Sequence, residues 1–225
     1  MFELNSLPSQ IDAQILARAL EAEPAVIGHF RLRGFPSGNI RPQWSVPRIA
    51  GTAVTLALSG ADSALLHHVA SSLRPGDVLL IDRLGDSLHA CLGGGVAFVL
   101  KRRGVSGVII DGPAADPAEL REIGLPVWSR GLSAITTRLY GLGGAFNVPV
   151  SIGGAVANPG DLVIADEGGI VVIPPDQMER DIDRAIQMTQ WEKEFLKTFN
   201  DAQTLGDVSG ATPRILAALA AQSRG

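Results

Sequence analysis

Gly93 to Glu119 constrains this chain more than any other stretch. Gly93-Gly94-Gly95-Val96 opens an apolar, helix-like run to Arg103. A strand follows, Val108-Ile109-Ile110-Asp111, and then the turn Gly112-Pro113-Ala114-Ala115-Asp116-Pro117-Ala118-Glu119. The first backbone N–H groups of a helix lack intrahelical acceptors and favour an anion such as a carboxylate or phosphate. Beside that cradle the turn presents Asp116 and Glu119, two carboxylates suited to a hard divalent cation. An anion cradle next to such a pair suits a metal-bound oxyacid. A second reading stays open: Asp116-Pro117-Ala118-Glu119 is also a good helix start, with an N-cap acid, proline in first position and glutamate in third.

Composition narrows the classes. The 225 residues can bury a sizeable core; 46% are apolar, and the formal net charge is −4. Nothing points to disorder, and a nucleic-acid binder would usually show a basic patch. The 26 glycines and few aromatics suit many tight turns between short strands. The single cysteine, Cys91, excludes an internal disulfide framework, fits a reducing compartment, and reads as a small buried hydrophobe. No basic-then-apolar leader opens the chain and no apolar run reaches membrane-spanning length, so a cytoplasmic protein without membrane contact is expected.

In chain order, Ile11, Ile15, Leu16 and Leu20 recur at helical spacing behind Ser9, a candidate N-cap. Residues 23–50 read as irregular, broken by Pro24, Pro36, Pro42 and Pro47. Arg31, Arg33, Arg41 and Arg48 are there either as solvated charge or as an arm towards a neighbouring subunit or anionic substrate. Residues 51–58 alternate as a strand, and Asp62-Ser63 caps a helix reaching Leu73, with His67 and His68 inside it read as structural. Val78 to Asp82 is a strand and residues 83–92 a loop with Asp86 and His89. Leu125 to Ser129 and Val148 to Ile152 are strands either side of a glycine-punctuated connection, residues 131–147. Asp166-Glu167-Gly168-Gly169 joins two strands as a hairpin. A long polar helix over residues 176–199 carries Trp191, Phe195 and Phe199 four apart, a stripe suited to a partner surface, and residues 213–221 form a short helix. This alternation is an α/β domain with a mixed sheet. Neither the dinucleotide fingerprint nor the P-loop occurs.

The blocks Pro75-Gly76-Asp77-Val78, Gly107-Val108-Ile109-Ile110-Asp111-Gly112, Val148-Pro149-Val150, Pro159-Gly160-Asp161 and Asp166-Glu167-Gly168-Gly169-Ile170 resemble the regulator of ribonuclease activity A family. That family includes the class II 4-hydroxy-4-methyl-2-oxoglutarate aldolases, which also decarboxylate oxaloacetate. The resemblance implies one αββα swivelling-type domain over residues 1–225. Its core lies at about 45–176, with an N-terminal helix and arm before it and a C-terminal helical extension after it. It also implies homotrimers or homohexamers with the active site at a subunit interface. The family motif is a glycine, twenty residues, Arg-Asp, two residues and an acid. Gly94, Asp116 and Glu119 match it, whereas Ala115 stands in the arginine position. On this resemblance Asp116, helped by Glu119, holds Mg²⁺ or Mn²⁺, Gly93, Gly94, Gly95 and Val96 bind the carboxylate of a small 2-oxo acid, and the protein is a carbon–carbon lyase. The alternative, which the loss of the arginine at 115 favours, is a non-catalytic binding protein like the family's ribonuclease regulators.

Overall fold

A computed structural model describes residues 1–200 and 202–223. Two compact units divide the chain, Met1–Ile186 and Gln187–Gly225.

The first unit opens with β1 (Phe2–Leu4), α1 (Ala13–Ala19), α2 (Pro24–Ile27), β2 (Arg41–Pro42) and β3 (Ile49–Ala57). It continues with α3 (Ala64–Val69), β4 (Asp77–Asp82), α4 (Gly94–Arg102), β5 (Gly107–Asp111), α5 (Pro117–Ile123) and β6 (Val127–Ser129). Short strands β7 (Gly144–Phe146), β8 (Val150–Ile152) and β9 (Ala155–Ala157) precede β10 (Leu162–Asp166) and β11 (Gly169–Ile173). The long helix α6 (Met178–Thr198) begins in this unit.

Strands β3, β4, β5 and β6 run parallel, each joined to the next through a helix. Their run of apolar residues reflects burial on both faces. Alternate side chains of β4 divide between two cores: Leu79 and Ile81 pack with Leu66, Leu100 and Leu120, while Val78 and Leu80 pack with Trp128, Ile152 and Val163. Antiparallel pairing of β10 with β3 and with β11 makes the sheet mixed, and β8 pairs with β9 as a separate two-stranded sheet. This is the expected mixed α/β architecture.

Several local expectations need correction. Asp12, not Ser9, caps α1, its Oδ1 accepting the Gln14 N–H at 2.7 Å. Pro24 does not break structure but opens α2 from its first turn, where a missing N–H costs nothing. Pro42 lies in the edge strand β2, paired with β6. The helix expected to reach Leu73 ends at Val69 and tightens into a 3₁₀ turn over Ala70–Ser72. Two of the four arginines are committed within the chain: Arg31 pairs with Asp181 at 2.7 Å, and Arg48 with Glu23 and Asp166. The expected connection 131–147 contains β7, which pairs with both β1 and β3.

The second unit holds the end of α6, then α7 (Leu205–Val208), capped by Thr204, and α8 (Ala211–Gln222). Along α6 the Trp191 and Phe195 rings stack at 5.5 Å, and Phe195 meets Phe199 edge-on at 5.2 Å. Among the described residues no helix is long and apolar enough to cross a membrane.

Candidate active site

Two turns meet at the C-terminal end of the parallel strands. The first leads into α4 with Gly93 as its N-cap, and the ladder begins with Ala97 N–H donating to Gly93 O at 3.1 Å. The second, after β5, brings Ala115 N–H to Leu92 O at 2.9 Å, which fastens the two turns together. Asp116 then adopts a left-handed conformation, φ 52° and ψ 50°, and makes no side-chain cap to its own helix. For a non-glycine residue that costs about 1–2 kcal/mol. Its Oδ2 instead accepts the Gly94 N–H at 3.1 Å, so Asp116 caps the neighbouring helix α4. A carboxylate is favourable there because the helix dipole is positive at that end.

The glycines matter because of what lies on them. A Cβ on Gly93 would run into Asp116 Oδ2, and one on Gly94 would run into Glu119 Oε2. The missing side chains thus let both carboxylates settle against the start of α4. Gly95 is exposed, with open space where its Cβ would be. Among the described residues no Lys, Arg or His lies within 4.0 Å of either carboxylate. Nor do three or more His, Cys, Asp or Glu gather into a metal cage. Such a pair fits a hard cation that keeps most of its waters, as Mg²⁺ does. The Gly94 amide, expected to help bind a substrate anion, is occupied by Asp116, which leaves the amides of Gly95 and Val96 for that task.

A cavity of about 360 Å³ opens on this corner, lined by Gly93–Val96 and Asp116 on one side and by Thr137 and Arg138 on the other, with His67 also at its wall. That volume lies at the low end for small-molecule sites, about 300–1,000 Å³. Cys91 also lines it but is 4% exposed. Burial pushes its thiol up to about 11, against the opposing pull of Arg83, so it is no nucleophile. Behind the corner Arg83 is fully buried, bonded to Asp86 at 3.0 Å, with its stem against Gly112. A larger cavity, about 710 Å³, lies beside Arg31, Gly154 and Asp161. Its Arg31 is already paired with Asp181 and its Asp161 carboxylate accepts from Asn158.

The wall opposite the carboxylates was missed in the sequence. Asp62, 2% exposed, holds it in place: its carboxylate accepts the N–H groups of Ala64 (3.0 Å), Tyr140 (3.0 Å) and Leu142 (2.6 Å). Burial alone would raise this carboxyl, but the converging donors outweigh it and hold the group below the ordinary carboxylate range. His67, expected to be structural, is exposed on the cavity wall. Asp111 accepts the Gly153 N–H at 2.7 Å and pairs with Arg130, so it ties turns together.

Comparison with known proteins identifies the family and the fold. The family model described as RraA-like, Aldolase/RraA, matches residues 16–172. A putative 4-hydroxy-4-methyl-2-oxoglutarate aldolase of Halalkalibacterium halodurans is 31% identical over 149 residues, 66% of this chain and 70% of that protein. A 4-hydroxy-4-methyl-2-oxoglutarate aldolase of Thermus thermophilus is 34% identical over 128 residues, 56% of this chain and 76% of that one. Among solved structures, Streptomyces coelicolor RraAS2, described as an unusual member of the RNase ES inhibitor RraA protein family, superposes with a TM-score of 0.75 at 28% identity, covering 84% of this chain and 99% of that one. With its mixed α/β fold and a family match over most of its length, the chain belongs to the RraA-like (Aldolase/RraA) family.

Proposed function

We propose that this protein is a divalent-cation-dependent carbon–carbon lyase acting on a small 2-oxo acid, of the 4-hydroxy-4-methyl-2-oxoglutarate aldolase and oxaloacetate decarboxylase type. The observation that carries the reading is the pair Asp116 and Glu119, laid on Gly93 and Gly94 at the start of α4, with Asp116 lining a small cavity and no ion pair to either carboxylate among the described residues. In this reading Asp116 and Glu119 hold Mg²⁺ or Mn²⁺. The bound cation would act as a Lewis acid on the substrate's keto oxygen, where negative charge develops as the C–C bond breaks. The chain's own part is orientation: the Gly95 and Val96 amides, at the positive end of α4, face a carboxylate. This reading assigns proton transfer to His67, which is exposed on the cavity wall.

Assembly into a homo-oligomer, a trimer or hexamer, belongs to the same reading. The segment beside the cavity exposes Leu132, Ile135, Leu139, Tyr140 and Leu142, each about half exposed or more, from 49% to 63%. A row of that kind suits coverage by a second copy.

Mg²⁺ should raise the melting temperature, because a ligand bound only by the native state stabilises it, by about 2.7 kcal/mol at a hundredfold excess over Kd. Asp116→Asn should abolish that rise and lower oxaloacetate decarboxylation at least a hundredfold. A binding protein without catalysis would show no turnover by the natural chain at any Mg²⁺ concentration, and that result would overturn the lyase reading.

A further inference from the structure

Position 115 is where the family resemblance expects an arginine, and the structure shows why nothing there reaches a substrate. The Ala115 methyl is 4% exposed and packs against the Gly93 turn. The same cavity nevertheless holds a guanidinium, on its opposite wall: Arg138.

The main chain of Arg138 is anchored on both sides. Its N–H donates to Ala61 O at 2.7 Å and its carbonyl accepts from Ser63 N–H at 2.9 Å. Next to it, Thr137 N–H donates to Ala90 O at 3.1 Å and the Thr137 hydroxyl meets the Ser63 hydroxyl at 2.7 Å. The side chain is held by one nitrogen. Nη1 donates to Thr136 O (2.9 Å), Thr136 Oγ1 (3.1 Å) and Thr137 O (3.1 Å). All three acceptors are neutral, and among the described residues no carboxylate lies within 4.0 Å of this guanidinium. Nε and Nη2 have no hydrogen-bond partner among those residues. A guanidinium steadied through Nη1 keeps its Nε–Nη2 edge for a carboxylate, which that edge binds through two parallel bonds.

We propose that Arg138 binds the carboxylate of the 2-oxo acid together with the Gly95 and Val96 amides of the same cavity, and so supplies from the far wall the anion-binding charge that position 115 lacks. The role rests on the lyase reading given above. A substrate would then lie between two positive groups: its keto oxygen towards the cation that Asp116 and Glu119 would hold, and a carboxylate on Arg138. Ordering by charge at both ends selects small, doubly functional anions over neutral ketones.

The test is calorimetric titration of the full chain with oxalate, with and without saturating Mg²⁺. Melting temperature without ligand serves as the folding control. Arg138→Ala should weaken oxalate binding at least tenfold while keeping the Mg²⁺-induced rise in Tm, and Arg138→Lys should recover part of the loss. Arg138→Gln keeps a donor for the threonine contacts but no charge, and should behave like the alanine variant. If Arg138→Gln or Arg138→Ala binds oxalate as tightly as the natural protein, the inference is overturned and the lyase reading stands. If Mg²⁺ fails to stabilise the natural protein, the lyase reading falls. A loss of oxalate affinity in Arg138→Ala without Mg²⁺ would still support the carboxylate site. If the natural protein binds Mg²⁺ but no oxalate, the role of Arg138 is rejected and the cation site alone survives.

Discussion

The wall carrying Gly93–Val96 and Asp116, with Glu119 seated behind it on Gly94, is one stretch of chain built on two helix starts joined through β5. The wall carrying Thr137 and Arg138 has no regular element and is held by isolated bridges from Leu132 to Ala114, Thr136 to Ala90 and Arg138 to Asp62. The first wall owes its shape to turn chemistry and capping between near neighbours. The second takes its shape from loops that the parallel sheet has already positioned.

The largest effect is expected at the first wall. Gly94→Val puts a branched side chain where Glu119 Oε2 lies, on a residue buried at the start of α4. Overpacking costs about 1–3 kcal/mol. Because Glu119 is driven off its seat, the Mg²⁺-dependent rise in Tm should vanish and turnover should fall at least tenfold. A variant that keeps its full Mg²⁺ response would show that the glycines do not position the carboxylates.

At the second wall the corresponding test is Asp62→Asn. A buried carboxylate accepting backbone N–H groups contributes about 1.5–3 kcal/mol per charged hydrogen bond at most, and the amide keeps part of it. Unfolding measurements at neutral pH should show a loss of about 2 kcal/mol, with the Mg²⁺ response intact. The pH dependence has a definite sign. Asp62 titrates lower in the folded chain than in the unfolded one, so its contribution is complete above the unfolded value of about 4 and drains away as pH falls through the folded value. The difference in stability between natural protein and variant should therefore shrink below pH 4. A constant difference down to pH 2 would remove the carboxylate from the anchoring of Tyr140 and Leu142.

What could be read in the sequence divides along the same line. The α4–β5–α5 unit was legible because a glycine turn, an apolar run and a proline-led helix start are local signals. Even there, the side-chain partner of Asp116 was not: nothing in Asp116-Pro117 says that the carboxylate caps α4 across the turn rather than its own helix. In sequence Pro24 reads as a breaker, yet it is an initiator, since the same ring serves both purposes. The strands β1, β7 and β9 span three residues each, too few to show a period. Arg138 sits in a glycine-punctuated segment whose placement depends on bridges to Asp62, Ala90 and Ala114, and separations that long leave no local trace. The one available signal is the pair Thr136-Thr137 before it: the Thr136 hydroxyl accepts from the Arg138 side chain and the Thr137 hydroxyl ties the turn to Ser63.

The smallest expected effect concerns Cys91, which sits where the walls join. Its neighbour Ala90 bridges to Thr136 of the second wall, and two residues on, Gly93 begins the first. The thiol lines the cavity yet is only 4% exposed, and burial raises its pKa to about 11. Alkylation requires the thiolate. That rise leaves on the order of a hundredfold less thiolate at pH 8 than a free cysteine holds. Iodoacetamide should therefore label the folded protein at least a hundredfold more slowly than a cysteine peptide under the same conditions. Cys91→Ala should leave turnover within about twofold, since the sulfur takes no part in the chemistry. Labelling as fast as the peptide would mean that the Ala90–Thr136 bridge opens readily and that the second wall is not fixed by the core. Slow labelling that Asp62→Asn accelerates would tie the closure of this junction to the carboxylate that anchors the far wall, and would extend the contrast between the walls from geometry to dynamics.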